Sequence, residues 1–172
     1  LGGTSADFFD WMVAGDVDGD SDRDVLAIFG NPNTLRLLRG DGAGGLGAPE
    51  PVPTAASFFA VRLAYMNADG RLDLIYHSSS GGIGYATVQL ADGAGGYLPP
   101  VSTAQTGGGP VAGDVNGDGR LDAVTLQNTP GQINVLLGDG LGGLAAPTAH
   151  AVQNTQDLKN LEIVEVTGDG AA

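Results

Sequence analysis

The sequence predicts an all-β fold built from repeated blades, each an antiparallel four-stranded sheet. Three observations carry that prediction. A pair of motifs recurs about every 49 residues, short apolar runs follow each motif, and no segment holds a helical apolar period.

The first motif is an Asp-rich loop. It reads Gly15-Asp16-Val17-Asp18-Gly19-Asp20 and runs on to Asp24-Val25-Leu26. It returns as Tyr65-Met66-Asn67-Ala68-Asp69-Gly70-Arg71-Leu72-Asp73, and again as Asp114-Val115-Asn116-Gly117-Asp118-Gly119-Arg120-Leu121-Asp122. A fourth copy begins at Val164-Glu165-Val166-Thr167-Gly168-Asp169-Gly170. The loops start at 16, 65, 114 and 165, spacings of 49, 49 and 51. The second motif is a glycine turn: Gly40-Asp41-Gly42-Ala43-Gly44-Gly45, Ala91-Asp92-Gly93-Ala94-Gly95-Gly96 and Gly138-Asp139-Gly140-Leu141-Gly142-Gly143. It follows the loop start by 25, 27 and 25 residues when counted to its Asp, and a Pro comes after it at 49, 99 and 147.

Between these landmarks lie candidate strands. Residues 25–29, 72–76 and 121–126 follow the loops, and 35–38, 85–90 and 133–137 precede the glycine turns. They are short and rich in Val, Ile, Leu and Tyr, and Gly or Pro interrupts most alternatives to them. A period near 49 suits four-stranded propeller blades. The repeats fall at about 10–58, 59–107, 108–158 and, in part, 159–172.

Bulk composition narrows the function classes. The 172 residues suit one domain and carry 20 Asp+Glu against 7 Lys+Arg, a net charge of −13. Nucleic-acid binding needs clustered Lys and Arg, and so does an anionic membrane surface; both are excluded. The acidic residues sit in short regular clusters, which fits cation binding better than a solvating tail. Glycine is high at 30, yet 42% of residues are apolar, enough for a core. There is no Cys, and no apolar run nears the roughly 18 residues that span a bilayer. The chain opens at Leu1, without Met or a signal peptide, and is expected to be a processed or trimmed piece of something longer.

The loop spacing Asp-x-Asn/Asp-x-Asp-Gly-x-x-Asp carries the strongest chemistry. Calcium takes six to eight oxygens, and alternating side chains of a tight loop can converge on one point. Gly suits position six, where the turn favours positive φ. By analogy with other such loops, position seven offers its backbone carbonyl. The third loop is the cleanest, with Asp114, Asn116, Asp118 and Asp122, Gly119 at the turn and Arg120 at position seven. The first has Asp16, Asp18, Asp20 and Asp24, adds Asp22 at position seven, and places Ser21 where Gly is expected. The second is degraded: Tyr65 replaces the first Asp, leaving Asn67, Asp69 and Asp73. The fourth has Glu165, Thr167 and Asp169. An EF-hand or dockerin loop needs an acid at position twelve and flanking helices. Position twelve is Ala27 in the first loop and Thr125 in the third, and strands follow.

These residues resemble the FG-GAP/VCBS-type repeats of integrin α-subunit propellers and many secreted bacterial proteins. The likeness rests on 112–122, Ala112-Gly113-Asp114 through Leu121-Asp122, and on Leu46-Gly47-Ala48-Pro49 after the glycine turn, and it covers essentially the whole chain. It implies a β-propeller, usually seven-bladed, with calcium between the first two strands of a blade and an extracellular setting. A blade cannot bury both faces alone, so its partners are expected to be the rest of a longer propeller or other copies of itself. Leu1-Gly2-Gly3 resembles Leu141-Gly142-Gly143, which places the start inside a repeat.

Other candidates are weaker. Arg39-Gly40-Asp41 spells an adhesion tripeptide, but its equivalents Leu90-Ala91-Asp92 and Leu137-Gly138-Asp139 make it a turn. Phe8, Phe9, Trp11, Phe58 and Phe59 serve either packing between blades or stacking against a sugar. His77 and His150 lack a second ligand at metal spacing and read as isolated surface or loop residues. No nucleophile elbow or phosphate loop is present, so no enzyme is expected. The sequence therefore points to a secreted or cell-surface scaffold stabilised by Ca2+, with a protein or glycan ligand and no membrane insertion. The alternatives are a carbohydrate-binding propeller and the non-catalytic part of a secreted polysaccharide-active enzyme.

Overall fold

Each Asp loop is a turn between two strands, and each glycine turn ends a third. In the computed structural model, which describes residues 9–30, 33–55, 57–128, 131–152 and 161–163, this grammar yields twelve strands in three sheets. The first blade holds β1 (Phe9–Gly15), β2 (Asp24–Phe29), β3 (Thr34–Leu38) and β4 (Glu50–Val52). The second holds β5 (Phe58–Ala64), β6 (Asp73–Ser80), β7 (Ile83–Gln89) and β8 (Val101–Gln105). The third holds β9 (Val111–Gly113), β10 (Asp122–Gln127), β11 (Gln132–Leu136) and β12 (Thr148–Ala151). Strands are antiparallel and lie in chain order within every sheet, as in the blades of a β-propeller.

All six anticipated strands are present, with β6 running on to Ser80. The first and fourth strand of each blade complete the four. The fourth strands are weakly marked because each ends its sheet. β4 is three residues long and carries Pro51, which an edge tolerates, and β12 is exposed throughout.

The core lies between the blades. Leu26, Ile28, Leu35 and Leu37 of the first blade pack with Phe58, Val61, Leu74 and Tyr76 of the second. On the other side of the second blade, Met66, Ile75, Ala86 and Val88 meet Ala123 and Leu136 of the third. Successive strand residues face opposite ways, so Leu74 and Tyr76 enter one core while Ile75 enters the other. That is why β6 reads as an unbroken apolar run and is buried from Asp73 to Ser78.

Polar contacts tie the same junctions. The Trp11 indole Nε1 donates to Val61 O at 2.7 Å, and Arg62 Nε donates to Pro110 O at 3.1 Å. The Arg62 guanidinium stands 5.6 Å from the centre of the Trp11 ring, a cation–π distance. Phe58 is 3% exposed and meets Tyr76 edge-on at 5.9 Å. It is a core residue and cannot serve as an open platform for a sugar. Phe8 and Leu1 to Gly3 lie outside the described residues.

Candidate metal centre

The ninth position of each loop is the best-held part of the site. Asp24, Asp73 and Asp122 are all fully buried. Each accepts two backbone N–H bonds, one per carboxylate oxygen. Asp24 takes Val17 N and Gly40 N, both at 2.9 Å. Asp73 takes Met66 N at 2.9 Å and Ala91 N at 2.8 Å. Asp122 takes Val115 N at 3.1 Å and Gly138 N at 2.8 Å. One oxygen thus grips the Asp loop and the other grips the start of the glycine turn. This clasp is the physical reason that the two motifs recur in fixed phase.

The first position caps the loop from inside. Asp16 Oδ1 accepts from Gly19 N at 2.7 Å and Oδ2 from Ser21 N at 3.0 Å. Asp114 gathers four amides: Gly117, Asp118 and Asn116 on Oδ1, and Gly119 on Oδ2 at 2.7 Å. Partial desolvation acts to raise the Asp114 pKa, but the Gly119, Gly117, Asp118 and Asn116 amides outweigh it and hold the pKa below the ordinary aspartate range. Position six has the same backbone in all three loops, with φ of 77° at Ser21, 76° at Gly70 and 80° at Gly119. Ser21 therefore keeps the loop's shape in a conformation that a side chain disfavours.

The carboxylates converge in the first loop. Asp16, Asp18 and Asp24 each offer an oxygen, and these oxygens lie within 4.8 Å of one another. Calcium–oxygen distances of 2.3–2.6 Å put two ligands of one ion at most about 5 Å apart, so the trio fits a calcium ion in both spacing and donor chemistry. Among the described residues, it is the one acidic group found to converge so closely. Asp20 stays outside the trio, exposed, and accepts Asp22 N at 2.8 Å. The Asp22 side chain turns away, so that a Cβ on Gly42 would stand 2.5 Å from its Oδ1. Arg71 covers Gly93 and Arg120 covers Gly140 in the same way. Position seven thus spends its side chain on the glycine turn, leaving its carbonyl as what the loop pattern assigns to an ion.

The other loops are arranged differently. In the third, the Asn116 amide donates to Asp118 Oδ2 at 3.1 Å, while Asp118 Oδ1 accepts Arg120 N at 2.9 Å. The first bond holds the third and fifth positions on each other, and the second is common to all three loops, as Asp20 accepts Asp22 N and Asp69 accepts Arg71 N. In the second, Tyr65 is 55% exposed, Asn67 Oδ1 accepts Asp69 N at 3.2 Å, and Asp69 pairs with Arg71 at 3.8 Å. Asn67, Asp69 and Asp73 keep the backbone bonds of their equivalents, and what the second loop lacks is the first-position carboxylate. Glu165, Thr167 and Asp169 lie outside the described residues.

Three further groups bear on the site. Arg39 of the adhesion-like tripeptide pairs with Asp18, and Asp41 accepts Ala43 N at 2.9 Å and Gly45 N at 2.7 Å. Both charged ends of the tripeptide are thus engaged within the fold. His77 corrects the expectation of a surface or loop histidine. It sits in β6, is 8% exposed, stacks on Phe59 at 4.4 Å, and has Nδ1 3.1 Å from Gln105 Nε2. Burial pushes its pKa down, against a smaller upward pull from a backbone bond to Gly108. His150 is exposed, in β12. Tyr97 was not anticipated. Its buried hydroxyl has no hydrogen-bond partner among the described residues, and burial, then the Asp73 and Asp24 charges, drives its pKa well above the ordinary range.

A family model for FG-GAP-like repeats matches the chain twice, over residues 16–76 and 66–125. Each match runs from one Asp loop through the strand that follows the next. No curated protein matches the chain.

Proposed function

This chain belongs to the FG-GAP-like repeat family, and we propose that it acts as a calcium-stabilised extracellular scaffold rather than as an enzyme. The repeats form an interaction scaffold of stacked blades. The observation that carries the calcium reading is the convergence of Asp16, Asp18 and Asp24. A bound divalent cation supplies one thing here, the neutralisation of carboxylates that otherwise repel within a single turn. The chain's own residues do the rest. Asp16 folds the loop over its amides, Asp24 fixes the loop to the glycine turn, and the inter-blade core carries that order outward. In an extracellular setting the affinity expected of such a module is about 10⁻⁴–10⁻³ M.

The test is calorimetric titration of calcium into the protein and into Asp16→Asn. The expected result is saturable binding in that concentration range, with one site lost or weakened several-fold in the variant. No heat of binding in either protein would end the calcium reading.

The ends of the stack support a partner built like the chain itself. Gly95 and Gly142 are buried against the preceding blade, whereas the equivalent Gly44 is exposed and Leu46 beside it is 52% exposed. Leu90 covers Gly142, whereas its equivalent Leu137 is 44% exposed. What suits these faces is a further repeat, from a longer chain or another copy. Light scattering separates the two. A mass well above 17.2 kDa assigns the partner to other copies, and a mass of 17.2 kDa removes that assignment.

A further inference from the structure

The first loop has a carboxylate at its third position, where the second and third have Asn, and a side-chain cation already holds it. Arg39 follows β3 directly, and its Nη1 donates to Asp18 Oδ2. Its Nη2 donates to Gly95 O at 2.8 Å, in the glycine turn of the second blade, and Nε and Nη2 both reach Glu50 Oε2 at 3.4 Å. One guanidinium therefore spans the Asp loop of one blade and the turn of the next. Its equivalents in the other repeats are Leu90 and Leu137. Leu90 fills the same junction with apolar contact alone, since a Cβ on Gly142 would lie 2.9 Å from the Leu90 side chain.

We propose that Arg39 is a built-in counter-cation of the first loop, which weakens calcium there and links its binding to the junction between the first two blades. The inference rests on the calcium reading of Asp16, Asp18 and Asp24. Arg39 takes Asp18 Oδ2 while the Asp20 amide bonds Oδ1 at 3.2 Å, so a calcium ion on Asp18 must share its carboxylate with the guanidinium, and two cations on one carboxylate repel. Calcium entry therefore loosens the Arg39–Asp18 pair, and the guanidinium, still within reach of Glu50, shifts against Gly95 O. The five carboxylates of this loop, which on charge count alone promise the tightest site, are held in check by a residue from outside it.

The variant that tests this is Arg39→Leu, which installs the residue the other two repeats carry. Arg39→Gln is the second variant, neutral but able to keep a bond to Gly95 O, and it stands in if Arg39→Leu fails to fold. Calcium chloride is titrated calorimetrically into each, and the Gly96 amide, next to the Arg39 contact, is followed by NMR. The expected result is about ten-fold tighter binding at one site in the neutral variants, with a calcium-dependent Gly96 shift in the parent that is lost in Arg39→Leu. Saturable binding with unchanged affinity and an unmoved Gly96 amide overturns the role of Arg39 and leaves the calcium reading standing. No binding in the parent or in either variant overturns both.

Discussion

Replacing Asp73 by Ala isolates the clasp from any effect of metal, because the second loop has Tyr65 in its first position. The substitution leaves two amides, Met66 N and Ala91 N, without acceptors in residues that are 2% and 8% exposed. A buried donor left unpaired costs about 1–3 kcal/mol, so two cost roughly 2–6 kcal/mol. An opposing effect trims this. Burial raises the Asp73 pKa more than its bonds to Ala91 and Met66 lower it, so the carboxylate itself is held at some cost and its removal recovers part of the loss. The net expectation is about 2–4 kcal/mol. At about 2–4 °C per kcal/mol for a domain of this size, the midpoint falls by roughly 4–16 °C. Circular dichroism melts in excess chelator at pH 7 measure it, with Asp69→Ala as the exposed control, expected to move by less than about 1 kcal/mol. A shift for Asp73→Ala no larger than the control's would refute the clasp as the device that holds the two motifs together.

Two further outcomes follow from the loops and turns. Ser21→Gly relieves a side chain held at φ 77° and is expected to stabilise the protein by about 1 kcal/mol in denaturant titrations; a loss of stability contradicts the strain argument. Asp41 and Asp92 sit below the ordinary aspartate value of 3.8 because the Ala43 and Ala94 amides, and then those of Gly45 and Gly96, bond their carboxylates. A depressed folded pKa gives stability that is present above 3.8 and lost as pH falls through the folded value. Asp73, with its raised pKa, works the other way: its contribution is full below 3.8 and is lost as pH rises through its folded value. NMR titration of the Ala43 and Ala94 amides should show midpoints below 3.8, and midpoints at or above it would remove the glycine turns as an acid-sensitive element.

Much of the fold was legible because its punctuation is chemical. Asp loops and glycine turns impose backbone shapes that few residues adopt, so the strands they bracket were located closely. The edge strands β4 and β12 carry no such signal, since their pairing depends on a neighbour rather than on their own apolar pattern. The clasp was hidden for another reason: Asp24, Asp73 and Asp122 sit at a ligand position, and a ligand role suffices to explain them. The signal against that was the second loop, which lost its first Asp and kept its ninth. His77 continues the apolar run Leu74-Ile75-Tyr76, and that continuity marks it as interior. Convergence of carboxylates in the first loop was not readable from spacing. It depends on where the Asp16, Asp18 and Asp24 side chains point, in a loop whose shape Ser21 keeps by adopting a glycine conformation. Arg39 stood out only as the start of an adhesion-like tripeptide, although its equivalents are Leu90 and Leu137.

The most direct test of the calcium account is the thermal midpoint in millimolar calcium against excess chelator, for the parent and for Asp16→Asn. At ten times Kd one site adds about 1.4 kcal/mol, which corresponds to roughly 3–6 °C. The account predicts a drop of at least that size on chelation in the parent and a smaller drop in the variant. Identical midpoints with and without calcium would contradict it, leaving the blades and their aspartate clasps as a fold that holds without metal.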